Sequence, residues 1–475
     1  MQSTLATPQS SGTKLPNHPS EERKQGLSNV AVFGILAAAL LLCYLPVVVS
    51  NYGCADDFLW VASAMQHNFR KMQVLQMVQG RPMMAVLFTA GFTPMTGIDD
   101  LKFLRLFSIL SIAGLAFTTY RTMIGAKFSK TASACVSLAM CLMPAFQVYV
   151  SWCATAFYAT GCLVAGLALH LAERAYIQEQ LSKKVRLAVA SIATLLVATL
   201  IFQPGAMYYW VYAAILMFKP NTSLSDICKR FAWYSGLCVI ALAMGFGMCS
   251  WGRNAFSEEM ALPNQRTHLT HHLKEKIVWF FTQPLNACLS FSDLFPDGKA
   301  AIATAVALIA GVAAYLKDKL SSRMAKLAIA ISIVPLSYLP NLAVEENWAS
   351  FRTECALSSI IVLYSFFALL GLRQTLFKSV REPVFNALLI ALAFTCGAAA
   401  FNNVYQYFVV PNTLEDGIIR AYINKDSHNR LTYKQVELNA GRLLTPGVAQ
   451  EFGCPSSPIH FAKEPLEYIM RHSTP

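Results

Sequence analysis

The stretch Leu27–Ser50, LSNVAVFGILAAALLLCYLPVVVS, carries no charged side chain from end to end. About 20 apolar residues suffice for a helix to cross a bilayer. The run is too long for a signal-peptide core and has no small-residue cleavage pattern, so it reads as an anchor that stays in the membrane. The 26 residues before it are polar, rich in Ser and Pro, and read as disordered.

The same texture recurs along all 475 residues, of which 55% are hydrophobic and 13% charged. A soluble domain carries about 25% charged residues. Candidate spans fall at 28–49, 103–123, 128–147, 153–172, 187–202, 205–218, 231–251, 300–316, 325–340, 355–371 and 384–404. The expected fold is an all-α polytopic membrane protein with about eleven crossings.

The net charge of +12 is distributed in a telling way. One link holds Arg121, Lys127 and Lys130; the next holds Arg174, Lys183, Lys184 and Arg186. Lys219, Lys229 and Arg230 follow, then Lys317, Lys319, Arg323 and Lys326, then Arg373, Lys378 and Arg381. Two spans separate each basic link from the next, and intervening links such as 147–153 and 203–205 carry no Lys or Arg. Basic residues mark the cytoplasmic side, which places the N-terminus inside and the C-terminus outside. The basic residues do not interleave with aromatics, which argues against a nucleic-acid partner. Most of the 13 cysteines lie inside apolar runs and no CxxC occurs, so neither zinc nor redox chemistry is indicated.

The expected organisation is a cytoplasmic segment 1–26, a transmembrane domain 27–404 and a small extracytoplasmic domain 405–475 with a helix near 414–424. The outer loops are 51–101, 252–299 and 341–354. In the first, 58–78 reads as one amphipathic helix on the membrane surface, with Phe58, Val61, Ala62, Met65, Phe69, Met72 and Leu75 on its apolar face. The apolar stretch 82–97 reads as an interfacial helix, because a crossing there would put the N-terminus and the first basic link on opposite sides.

Asp56 and Asp57 stand at the start of that loop. Adjacent carboxylates can simply be solvated, or can complement a helix N-terminus. Their setting, however, resembles a known family. A first span, ADDF at Ala55–Phe58, an amphipathic helix, GRP at Gly80–Pro82, a short apolar helix, and MPAFQVYVSW at Met143–Trp152 together look like the GT-C glycosyltransferases. The closest likeness is to the bacterial O-antigen glucosyltransferases of the serotype-conversion type. The resemblance implies a GT-C-like fold in the bacterial inner membrane, a catalytic acid at Asp56 or Asp57, and a sugar donor on a polyprenyl phosphate. It also implies a glycan or glycolipid acceptor, alongside membrane lipids. The second outer loop, VSWCATAFY at Val150–Tyr158, lacks the acid many such enzymes carry there, which weighs against a metal, and no other cofactor is expected.

The chemistry is coherent on its own terms. A positioned carboxylate can take a proton from an acceptor hydroxyl as it attacks. The departing polyprenyl phosphate needs cationic hydrogen-bond donors, for which Arg81 and Arg352 are the first candidates, with Arg253 and Arg105 behind them. EENWASFRTE (Glu345–Glu354) offers Glu345, Glu346 and the stacking ring of Trp348 for substrate, and Trp152 offers another ring. As a plain loop, the same stretch is an interfacial Trp among charges. His268, His271 and His272 have zinc-like spacing but no fourth ligand nearby, and read as a surface helix. The rival functions are a lipid-linked glycan flippase or transporter, a glycan polymerase or ligase, and a membrane scaffold.

Overall fold

The computed structural model describes residues 28–54, 57–260, 268–290 and 297–413. The expected N-terminal segment, Asp56, and the tail with its expected helix at 414–424 lie outside the described residues. Among those described, the chain is helical throughout, and its one β pairing is an isolated antiparallel bridge between Leu269 and Val344.

The helices run α1 (Asn29–Val48), α2 (Asp57–Met65), α3 (Arg70–Val78), α4 (Pro82–Phe92), α5 (Leu101–Gly125), α6 (Lys130–Cys141) and α7 (Pro144–Ser151). Then come α8 (Tyr158–Ile177), α9 (Leu181–Ile201), α10 (Gln203–Ala206), α11 (Tyr209–Met217), α12 (Leu224–Phe256), α13 (Leu273–Thr282) and α14 (Pro284–Leu289). The series closes with α15 (Gly298–Tyr315), α16 (Leu320–Leu336), α17 (Leu339–Ala343), α18 (Cys355–Thr375) and α19 (Glu382–Val404). Serine side chains start several of them: Ser28 accepts from Ala31 N–H, Ser129 from Ala132 N–H and Ser223 from Asp226 N–H.

Among the described residues, eight helical segments are long and apolar enough to cross a membrane, and α6 with α7, bent by 59° at the break before Pro144, makes a ninth if the pair is one span. The difference from the expected eleven lies in two places. α16 has 17 residues and ends just past Pro335, at the lower limit for a crossing. The segment expected to span 205–218 is broken, and α11 keeps only nine residues, about 14 Å at 1.5 Å per residue. All but one of the α11 side chains are buried, so this short piece is enclosed by protein, where irregular backbone is tolerated at membrane depth.

The five basic links gather at one end of the bundle. Arg121 donates to Asn29 at the start of α1, and Thr122 is hydrogen-bonded to His170. Arg230 pairs with Glu173 and Asp226, and Tyr176 donates to Asp226. Lys326 donates to the Thr222 carbonyl at 2.6 Å, Tyr315 to that of Phe218 at 2.8 Å, and Gly371 lies against the backbone of Gly311 and Tyr315.

At the other end, Arg105 near the start of α5 grips the end of α1, donating to the carbonyls of Val47, Ser50 and Tyr52 at 2.5–2.9 Å. The intervening segment α2–α4 therefore leaves and returns at the same end. α4, 11 residues long, is shorter than the roughly 17–25 residues a crossing takes. The expected single helix over 58–78 is instead two. His67 adopts φ 51°, and Asn68 N–H donates to Ser63 O while His67 N–H donates to Ala64 O, a Schellman stop with histidine where glycine is usual. The break re-aims the second half, so Val74, Gln76 and Val78 are buried and Met65 is exposed.

Candidate functional site

Asp57 begins α2 and is fully buried. Its Oδ2 accepts from Cys54 N–H at 3.0 Å and Cys153 N–H at 3.2 Å, and its Oδ1 from Ala154 N–H at 3.0 Å. The donors are available for a local reason. Trp152 is extended (φ −102°, ψ 105°) between α7 and the short turn Cys153–Thr155, so the first amides of that turn have no helical acceptor. A carboxylate is a strong partner for such amides. Asp57 thus fastens the segment after α1 to the turn Cys153–Thr155.

Trp152, the residue before that turn, packs against Arg352. The Arg352 guanidinium lies 4.7 Å from the Trp152 ring centroid and 5.5 Å from that of Trp348, both within cation–π range. The Arg352 carbonyl accepts from Tyr149 Oη at 2.6 Å. Tyr149 meets Tyr158 edge-on at 5.5 Å, and Tyr158 stacks on Phe202 at 3.7 Å.

Arg81 lies over Tyr158 and Phe202, 5.8 and 5.1 Å from their centroids. Its Nη1 donates to Tyr158 Oη and Gln79 Oε1, and its Nε to Gln203 Oε1 at 2.9 Å. Gln203 Nε2 in turn donates to the Gln79 carbonyl. Asp57, Trp152, Arg352, Trp348 and Arg81 are therefore joined through one aromatic floor of Tyr149, Tyr158 and Phe202, at the end opposite the basic links.

Arg253 approaches from α12, whose 33 residues measure about 50 Å and so overrun a bilayer core of roughly 30 Å. Gly80, with φ +70°, packs so tightly on Cys249 that an added Cβ would lie 2.5 Å from its Sγ. Arg253 sits one helical turn beyond Cys249 on the same face, and the guanidiniums of Arg81 and Arg253 both bear electrostatically on that thiol. Arg253 Nη1 is buried with no hydrogen-bond partner. Farther along, Arg70 clasps Glu259, with its Nε 2.9 Å from Oε2.

Arg105 requires a correction. Expected as a reserve phosphate ligand, it is wholly buried, spends its hydrogen bonds on three main-chain carbonyls and lies over Phe408. Its guanidinium ties the chain leaving α1 to the start of α5.

Glu345 and Glu346 lie on a different wall. Thr270 N–H donates to Ala343 O and Glu345 N–H to His268 O, stitching 268–270 to 343–345. Lys276, almost fully buried, donates to Glu346 O at 2.7 Å and Asn347 Oδ1 at 2.8 Å. Burial lowers its pKa to about 8. Thr270, His272, Glu275, Lys276, Glu345, Glu346 and Asn347 line a cavity of about 400 Å³. Among the described residues, no group of three or more His, Cys, Asp or Glu is arranged to hold a metal, and His272 faces Glu275 at 3.8 Å.

The sequence reading missed Tyr149, Tyr158, Gln203 and Lys276. Gln203 carried a signal, being a lone amide at a Pro-Gly break inside an apolar hairpin. Lys276 carried none, since nothing local distinguishes it from Lys274.

No family model matches the chain, and no curated protein matches it. The oligosaccharyltransferase of Archaeoglobus fulgidus, solved in complex with zinc and sulfate, is similar to it at 13% identity with a TM-score of 0.42. That comparison covers 93% of this chain and 61% of the archaeal one, so the chain spans about three-fifths of its length. A likeness of this grade carries no argument about chemistry, which rests on the residues above; by its own helices, the chain is an all-helical, multi-pass membrane protein.

Proposed function

We propose that the chain is an integral-membrane glycosyltransferase of GT-C type. It moves a hexose, with glucose favoured, from a polyprenyl-phosphate donor to a cell-surface glycan such as O-antigen or its lipid-linked precursor. The active face is the end opposite the basic links, which is the outer face of a bacterial inner membrane if the basic links are cytoplasmic. The observation that carries this reading is the junction of Asp57, Trp152 and Arg352. It brings an acid-bearing loop, a sugar-stacking ring and an arginine from three distant stretches of chain to one place.

In this mechanism the acceptor oxygen attacks the anomeric carbon while the bond from that carbon to the phosphate oxygen breaks, in one inverting displacement. The hydroxyl proton passes to a carboxylate. Asp57 has three main-chain amides on its two oxygens, so we assign it to positioning and its neighbour Asp56 to the base. The negative charge arriving on polyprenyl phosphate falls to Arg81 and Arg253, with Arg352 beside the sugar. A divalent metal has no step in this scheme.

Membranes holding the protein, given labelled polyprenyl-phosphate hexose and a lipid-linked glycan, should transfer the label. Asp56→Asn at equal protein level should abolish transfer. If Asp56→Asn and Asp57→Asn both transfer like wild type, the acid chemistry is wrong and a flippase becomes the better reading.

A further inference from the structure

The cavity between residues 270–276 and 345–347 is lined by polar and charged residues. Thr270, His272, Glu275, Lys276, Glu345, Glu346 and Asn347 line its approximately 400 Å³, a size within the range of ligand sites. The absence of any apolar residue from that lining makes it a poor berth for a polyprenyl chain. From these features we infer that the cavity is the acceptor subsite, taking a neutral, hydroxyl-rich glycan. This inference rests on the glycosyltransferase reading above.

Charge selects the ligand. Three carboxylates, Glu275, Glu345 and Glu346, outnumber the one ammonium of Lys276, so a phosphorylated or uronic glycan is repelled. A sugar hydroxyl both donates and accepts, and the wall offers both partners: carboxylates and the Asn347 carbonyl accept, while Thr270, His272 and the Asn347 amide donate.

The walls are also held in place. The Leu269–Val344 bridge joins the two segments, and the Lys276 ammonium pins Glu346 O and Asn347 Oδ1 from beneath. Fixed walls lower the ordering cost of binding a flexible glycan. Two residues past Glu346, Trp348 is 36% exposed, and its ring meets the Arg352 guanidinium, which meets Trp152. A glycan seated in the cavity can thus run over Trp348 toward the loop that Asp57 holds.

The test uses the full chain in detergent, with maltohexaose and hexagalacturonate as neutral and acidic probes read by saturation-transfer NMR. Maltohexaose should bind and hexagalacturonate should not. Glu345→Gln combined with Glu346→Gln should weaken maltohexaose binding tenfold or more. Lys276→Met should weaken it too, with faster hydrogen exchange over 343–348 reporting the lost pin. The inference is overturned if maltohexaose does not bind, if both probes bind equally, or if the double variant binds like wild type. Transfer activity with no glycan bound here sinks the subsite alone. Binding here with no transfer sinks the enzyme reading and leaves the cavity a glycan site.

Discussion

Tyr149 Oη donates to the carbonyl oxygen of Arg352 at 2.6 Å, joining residues 203 positions apart. Through this bond the C-terminal half of α7 sets the backbone from which the Arg352 guanidinium reaches Trp152. Tyr149→Phe removes it at a stability cost of about 1 kcal/mol, the usual net worth of a buried hydrogen bond. Transfer should fall several-fold while Arg352→Ala, which removes the cation itself, falls further. Initial rates on equal amounts of folded protein compare the two, and an unchanged Tyr149→Phe rate would show that Arg352 is positioned by something else.

The two aspartates should separate by stability. Asp57→Asn replaces an anion held by three amides with a group that presents an N–H₂ to one of them. Hydrogen bonds to a charged group contribute about 1.5–3 kcal/mol, so a melting point clearly below wild type is expected. Asp56→Asn should lose transfer at unchanged melting temperature. Thermal unfolding in detergent reads both, and identical melting of Asp57→Asn and wild type would remove the pin.

Arg105 and Arg81 make a second contrast. Arg105→Met removes the buried cation that bonds the carbonyls of Val47, Ser50 and Tyr52, at about 1.5–3 kcal/mol per bond, and should yield little monodisperse protein. Arg81→Met should fold, since the amide partners Gln79 and Gln203 are only part-buried, and should raise the KM for donor. Size-exclusion profiles and donor kinetics distinguish the outcomes.

Lys276 should titrate near pH 8 instead of near 10.5. Between those values the native state has shed a proton that the unfolded state keeps. The unfolded state then binds more protons, so the contribution of this group to stability rises with pH across that window; below pH 8 the cost of burying the charge is fully present. NMR of reductively methylated protein, with Lys276→Arg to assign the signal, gives the midpoint. A midpoint near 10.5 would mean the ammonium is solvated.

Spans and their common basic end were legible because hydropathy and Lys/Arg placement are local, additive signals. The short α11 was not, because its apolar residues serve burial within protein as well as they would serve lipid. His67 hid the break between α2 and α3, since a left-handed stop is normally signalled by glycine. Arg81 and Arg352 were recognisable as cations beside spans, and Arg105 looked the same. Only its three carbonyl partners, 53–58 residues away, separate an anchor from a candidate ligand. The Glu345 and Glu346 pair was visible, but the wall opposite it comes from Thr270 to Lys276, and that pairing is a tertiary fact.

The three amides on Asp57 belong to the main chain, so these hydrogen bonds do not depend on which side chains stand at 54, 153 and 154. Only proline, which has no N–H to give, would break the clasp at any of the three. Evolution can therefore keep this clasp without leaving any correlated pair of substitutions behind. Methods that infer contacts from covariation will be blind to the joint between the first and second outer loops.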